Sequence, residues 1–380
     1  MKHRALVALA GALLSASTTA AFAQSSVTLY GIIDTGIEFV SHANAAGKSL
    51  FRMPGITGEL PSRWGIRGTE DLGAGYSAIF TLENGFNVRG GDLGQGGRLF
   101  GRQAFVGIKS PYGTLSFGRQ YTMTVLALSI TDIMGPDIYG LGVLDQYVPN
   151  ARADNSVTYM GSFGGFTLGA NYSFGRDAAG TGNSPGQGTC AGSVPGQPTQ
   201  CREWSTMLTY TNAFFGATAS YEDQRGGANA AASFFDGIPS IPITNSAAKD
   251  DRAQVSAYVT WGGAKLSAGW LGRQVIPDSP GLASVRSNLY FAGASYYITP
   301  TFNVDGEVFR IINDQHDTRA TMGTLRATYL LTKRSAVYAQ VAYLANSPNA
   351  RFSVSAGGGG TTPAAGMGQT GAMVGIRHQF

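Results

Sequence analysis

Outside its first residues the chain has no apolar run of about 18 residues, the length a helix needs to cross a bilayer, so a helical membrane protein is excluded. Charge is scarce too. Asp, Glu, Lys and Arg make up 13% of the 380 residues, where a water-soluble protein carries about 25%. Cysteine is confined to Cys190 and Cys201, in a Gly/Pro/Thr-rich stretch with too few neighbouring ligands for a metal site; a loop disulfide in an exported protein fits the pair. Without Lys2 and Arg4 there are 25 basic against 23 acidic residues, a net of +2. With no basic helix and no RNA-binding motif, this balance leaves no case for a nucleic-acid partner. The glycine clusters at 94–97 and 357–360 lack the strand–glycine–helix setting and the lysine of a nucleotide loop, so no cofactor is implied.

Glycine (54 residues), Phe (20) and Tyr (17) are abundant and favour many strands joined by turns. Residues 1–23 read as a secretory signal: basic Lys2, His3 and Arg4, an apolar core from Ala5 to Leu14, and a small-residue cleavage site at Ala21-Phe22-Ala23. In the remainder, 24–380, segments of about ten alternating residues recur throughout. Leu29, Ile33, Ile37 and Phe39 oppose Asp34 and Glu38; Val255, Ala257, Val259 and Trp261 oppose Gln254, Ser256, Tyr258 and Thr260. In the tail, Ala372, Val374, Ile376, His378 and Phe380 share one face, with Met373, Gly375, Arg377 and Gln379 on the other. Such a tail suits a final strand that closes on the first, with Phe380 as an outward assembly signal. Trp204, Trp261 and Trp270 are expected near strand ends, as in an interfacial girdle.

The period-two segments predict strands at 27–40, 62–70, 75–87, 99–109, 114–120, 155–162, 165–174, 203–212, 214–223, 252–261, 263–274, 287–297, 300–312, 319–331, 334–345 and 370–380. Tight turns such as Ser110–Gly113 and Leu331–Arg334 alternate with long polar stretches such as 41–61, 121–151, 175–202, 224–251 and 346–369. Strict alternation of this kind matches the short periplasmic turns and long extracellular loops of an all-β, 16-stranded antiparallel transmembrane β-barrel. Sixteen strands enclose a lumen too wide for side chains to fill, so the strand count itself implies a water channel.

Ser62-Arg63-Trp64-Gly65-Ile66-Arg67-Gly68-Thr69-Glu70-Asp71-Leu72-Gly73 resembles the second strand and first turn of the Gram-negative trimeric porins. Gly101-Arg102-Gln103-Ala104-Phe105-Val106-Gly107-Ile108-Lys109, Val27-Thr28-Leu29-Tyr30-Gly31 and the terminal Phe380 resemble other parts of that family, and the likeness spans 24–380. It implies a homotrimer in the Gram-negative outer membrane, in contact with the bilayer and outer-leaflet lipid. It also implies passive diffusion of ions and small hydrophilic solutes past a third loop, here 121–151, folded inward as a constriction. Family positions place Asp132 and Asp137 on that loop, facing a basic ladder of Arg63, Arg102 and Arg152, joined by Arg67 on the same strand face. Ile32 stands where the enteric branch has a further basic residue.

Like charges crowded on one strand face stay hydrated only beside water, and on the lipid face each would cost about 2–4 kcal/mol at the midplane. Three arginines against two acids, with Asp34 and Glu83 elsewhere on lumen-facing positions, point to a weak anion preference. A channel specific for phosphate or small carboxylates is an alternative, although a phosphate channel would be expected to use lysines, of which five follow the signal. A barrel hydrolase is a further alternative. His316 between Asp314 and Asp317 is its candidate base, but no nucleophile motif accompanies it, and the chain reads as a channel and not an enzyme.

Overall fold

The computed structural model describes residues 25–177, 187–279 and 281–380; the signal sequence expected at 1–23 lies outside them. Sixteen long antiparallel strands follow one another around a closed barrel. They are β1 (Ser26–Val40), β2 (Arg63–Gly73), β3 (Tyr76–Gly85), β4 (Gln103–Ser110), β5 (Gly113–Tyr121), β6 (Arg152–Phe163), β7 (Phe166–Ser173) and β8 (Glu203–Thr211). Then come β9 (Phe215–Arg225), β10 (Lys249–Trp261), β11 (Ala264–Ile276), β12 (Val285–Thr299), β13 (Phe302–Asn313), β14 (Thr318–Leu330), β15 (Ser335–Asn346) and β16 (Gln369–Gln379). All sixteen predicted strands are present. The strand expected at 99–109 begins only at Gln103, because the preceding residues turn into the barrel mouth.

The ladder closes on β1. Its first half, Ser26–Ile32, pairs with β2, and its second half, Ile32–Val40, pairs with β16. Phe380 extends this seam: its N–H donates to Gly31 O and its own carbonyl accepts from Gly31 N–H, both at 3.1 Å. The Phe380 ring lies where a side chain on residue 31 would be, so glycine is required there by close approach. Val374, Ile376, His378 and Phe380 are exposed on the outer wall while Met373 is buried inside, as the period-two reading of the tail has it.

At one end the turns are tight. Gly164-Gly165 and Gly262-Gly263 take φ of 57° and 87° and of 57° and 83°, the pairs of positive φ that two-residue hairpins demand. At the other end lie loops L1 (41–62), L2 (86–102), L3 (122–151), L4 (174–202), L5 (226–248), L6 (277–284), L7 (314–317) and L8 (347–368). The expected strict alternation of long and short breaks at L7, whose four residues equal the turn at 331–334. L5 and L8 cover that gap: His316 of L7 meets Asp236 of L5, and Arg351 N–H of L8 donates to Asp236 O. Trp204 and Trp261 lie at strand ends, whereas Trp270 sits halfway along β11, a strand that continues past it for six residues.

The disulfide expected between Cys190 and Cys201 is present, with Cα atoms 5.1 Å apart. The pair is not exposed: both cysteines are buried among Ala230, Phe234, Ile243 and Val275, so the bridge sits in a small apolar cluster beneath L5.

Removing Phe380 should reduce the amount of folded barrel recovered from outer membranes, read as heat-modifiable protein on gels; unchanged recovery would show the aromatic end to be incidental. Replacing both cysteines with Ser should leave the barrel and its assembly intact. The bridge closes a short segment far from the β1–β16 seam, and breaking it removes only loop-closure stabilisation of about 2–3 kcal/mol. Loss of the folded barrel in the double variant would contradict this.

Candidate functional site

Five side chains from adjacent strands meet on one side of the lumen, all near the loop ends of β2 to β6. Arg63 opens β2, Glu83 lies near the end of β3, Arg102 immediately precedes β4, Tyr121 ends β5 and Arg152 opens β6. Glu83 accepts from Arg102 Nε at 2.7 Å, lies 3.7 Å from Arg63 Nε, and takes a hydrogen bond from the Tyr30 hydroxyl at 3.0 Å. The Tyr121 hydroxyl accepts from Arg102 Nη2 at 2.6 Å and Arg152 Nη2 at 3.0 Å, and its ring carries the Arg152 guanidinium at 4.4 Å. One carboxylate and one tyrosine thus hold three guanidiniums in a wall that keeps excess positive charge.

L3 faces this wall because the opposite wall holds its back. The loop opens with helix α1 (Met123–Leu128), whose Met123 N–H donates to Ser205 Oγ on β8. Thr131 bonds Ser256 on β10 at 2.7 Å, Met134 N–H donates to Glu307 on β13 at 2.8 Å, and Thr324 on β14 donates to Tyr139 O at 2.8 Å. Further on, Tyr147 donates to Glu222 on β9 at 2.7 Å and Asp145 pairs with Arg252 on β10 at 3.2 Å. Between these polar ties lies an apolar seam. Leu128, Met134, Ile138, Leu141 and Leu144 of L3 are buried in one cluster with inward-pointing Leu271, Leu289, Phe291, Phe309, Ile311 and Met322. Burying a side chain of this size is worth roughly 1.5–3 kcal/mol, so the loop is packed as a core and does not hang free in the channel.

A cavity of ≈ 360 Å³ remains between loop and arginines, lined by Arg63, Arg102, Tyr121 and Arg152 on one side and by Val125, Leu126, Ser129, Asp132, Val148 and Pro149 on the other. The structure therefore brings together Arg63, Arg102, Arg152 and Asp132. Asp132 is half-buried: burial pushes its carboxyl up to about 6, and it shares a hydrogen bond with Glu307 on β13. Its Oδ1 accepts from Gly135 N–H at 2.9 Å.

Three expected residues sit differently. Asp137, 2% exposed, directs its carboxylate to Arg326 on β14 at 2.9 Å, not to the ladder, and so ties L3 to the far wall. Arg67 does not line the slit itself: it stacks on Tyr30 at 5.2 Å in an adjoining ≈ 460 Å³ recess that it shares with Arg63 and Glu83. Glu83, expected elsewhere on the lumen wall, stands in the middle of the arginine cluster. Asp34 does face the lumen, where L1 covers it: it accepts from Tyr338 OH at 2.6 Å and Leu60 N–H at 2.7 Å.

Sequence reasoning missed Tyr121 and Arg326. A tyrosine at a strand end gives no sign that it will bridge two arginines, whereas Arg326 alternates on the lumen face with Thr324 and Thr328 and could have been flagged by parity. His316, the candidate base, bonds Asp236 at 2.7 Å and stands edge-on to Phe234 at 5.3 Å, clasping L7 to L5.

The Gram-negative porin family matches residues 5–349. An outer membrane porin protein of Bordetella pertussis is 33% identical over 98% of this chain and 99% of its own. Outer membrane porin protein 32 of Delftia acidovorans is 31% identical over 99% of each. Among solved structures, an anion-selective porin from Comamonas acidovorans superposes with a TM-score of 0.74 at 28% identity, covering 94% of this chain and all of the other. Full-length likeness of this kind, on a closed barrel narrowed by its third loop, makes the chain a member of the Gram-negative porin family and an outer-membrane channel for passive diffusion of ions and small hydrophilic solutes.

Proposed function

We propose that the slit between L3 and the β2–β6 arginines is the channel's constriction and gives it a mild anion preference. The observation that carries this is the local charge: among the residues lining the slit, Arg63, Arg102 and Arg152 are basic and Asp132 is acidic, while Glu83 is paired with Arg102 and Asp137 is drawn to Arg326, which also holds Asp305. Rings of charge of one sign set ion preference in a wet pore, and the apolar L3 face opposite offers no competing anion site. The anion-selective porin among the structural relatives is consistent with this reading. Porin relatives also include a chain described in a trimer form, and we infer that this one assembles as a homotrimer in the lipid bilayer. His316 acts as a loop clasp: its Asp236 partner is shared with the Thr318 hydroxyl at 2.9 Å.

Changing Arg102 to Glu alters the slit by two charges. In water a unit charge at about 7 Å is worth roughly 0.6 kcal/mol, so the anion-to-cation permeability ratio should fall several-fold, read from zero-current potentials across planar bilayers. Changing Asp132 to Asn should raise that ratio. If both variants match the parent, these residues do not line the narrowest passage.

Acidity should act in the same direction as the Asp132 change. With the Asp132 carboxyl pushed up by burial and hydrogen-bonded to Glu307, the two acids together lose negative charge as pH falls from 8 to 5, while the arginines stay charged. Anion preference should therefore increase as pH falls across that window and flatten in the Asp132→Asn variant. A preference that weakens on acidification would contradict the placement of Asp132. The whole effect should shrink as salt rises, since the Debye length is about 10 Å at 0.1 M.

A further inference from the structure

On the loop side of the slit lies a second chamber, of ≈ 490 Å³, enclosed by L1, L2, L3 and L8. Arg102, Pro61, Pro136, Gly142 and Pro149 line both spaces, so a solute entering from the loops meets this chamber before the slit. Its size falls in the range of small-molecule sites, about 300–1,000 Å³. The two glycine clusters that carry no nucleotide motif, 94–97 and 357–360, come together here. Gln95 of the first and Gly358 and Gly359 of the second line the chamber.

The roof of the chamber is fixed. Arg52 of L1 is anchored to Glu38 on β1 at 2.6 Å, and it donates to Gly358 O and Gly359 O, both at 2.8 Å, and to Ser355 Oγ at 2.9 Å. Gly55 N–H donates to Gly357 O and Ala356 N–H to Ile138 O, each at 2.9 Å, so L8 is tied to L1 and L3. Groups held in place before binding cost a ligand less ordering. A Cβ added at Gly359 would meet nothing within 4 Å, and its φ is not positive, so a larger residue fits the backbone and extends into open space.

The lining chemistry is one-sided. Arg89 of L2 is exposed and, among the described residues, has no carboxylate within 4 Å. Arg102 is 7% exposed; its Nε is held by Glu83 and its Nη2 by Tyr121, while Nη1 makes no hydrogen bond among the described residues. Asp137 is the one carboxylate among the described lining residues, and Arg326 holds it at 2.9 Å. The other polar side chains are neutral amides and hydroxyls, among them Asn150, Ser353, Thr361 and Thr362, and no aromatic ring lines the space. Cations without a free acid beside them select a carboxylate over an ammonium or a zwitterion. Amides and hydroxyls suit a solute's own hydroxyls, which both donate and accept. Without an aromatic face there is no platform for a nucleobase or another planar ring.

From this chemistry we propose that the chamber is a binding site for acyclic polyhydroxy monocarboxylates, the aldonate class. The carboxylate sits on Arg102 Nη1 in the field of Arg89, and the hydroxyls meet the amides and hydroxyls of L3 and L8. The inference rests on the slit being the constriction and names the class of solute held at its entrance. A solute bound there interrupts the ion path until it passes on or returns.

The test is single-channel recording in chloride across planar bilayers, with gluconate added on the loop side. Gluconate should interrupt the current with an association constant about tenfold or more above that of hexanoate, which lacks the hydroxyls, and that of glucitol, which lacks the charge; a site built to bond hydroxyls rejects an analogue without them at least this well. Gly359→Leu fills the chamber and should weaken gluconate about tenfold. Arg89→Gln should weaken gluconate several-fold and leave glucitol unchanged. Chloride current through each variant shows that it is folded and open. Equal block by gluconate and hexanoate, or gluconate block unaltered by Gly359→Leu, would overturn the proposal. The slit is tested apart from it, by the permeability ratio of Arg102→Glu in chloride without gluconate, so failure of one reading is distinguishable from failure of the other.

Discussion

Everything in this molecule depends on one seam, the pairing of β1 with β16. In hydrocarbon an unpaired backbone group costs several kcal/mol, so a sheet survives there only when it has no edge. Nine consecutive register pairs, from Ile32↔Gln379 to Val40↔Gly371, remove that edge, and the Gly31–Phe380 bonds finish it. Because β1 gives one half to β2 and the other to β16, the closing strand is shared and the barrel is staggered at its start. Closure with sixteen strands then creates the second problem, a lumen wider than its side chains can fill.

L3 resolves that problem asymmetrically. Its rear is a hydrophobic core with β11–β14, reinforced by the Asp137–Arg326 pair and by Arg326 Nη2 to Asp305 at 2.8 Å. Its front is left against the arginines. The lumen is thus half core and half water, and the water half is bounded by fixed charge. Arg326 is anchored by carboxylates on two elements, so removing it would leave Asp137 and Asp305 buried and uncompensated, the costly way to break an ion pair. The loop's placement and the channel's field are consequences of the same few contacts.

The strand framework was legible because lipid outside and water inside impose a period of two on nearly every segment, and glycine pairs mark the turns. The slit was half legible: parity put Arg63, Arg102 and Arg152 on the lumen face, and a family likeness put Asp132 across from them. What could not be read was which way a loop residue turns. Asp132 and Asp137 are five residues apart on one loop, yet one lines the slit and bonds Glu307 while the other pairs directly with Arg326. Nor could the L3 core be read, since Leu289, Phe291, Phe309 and Ile311 point inward on strands whose outward residues are also apolar, and such strands look buried on both sides. Glu83 was placed by parity in the lumen, but its position between two arginines depends on register with neighbouring strands.

The central claim is that ions pass between L3 and the arginine wall. Ser129 on L3 is exposed and lines that slit opposite Arg102, and the two native cysteines are joined to each other. Single-channel recording of a Ser129→Cys variant in planar bilayers, before and after reaction with a bulky neutral thiol reagent, tests the claim directly. The account predicts that conductance drops by more than half on modification while the unmodified variant conducts as the parent does. Unchanged conductance after complete modification would mean that the current takes another path and that L3 does not form the constriction.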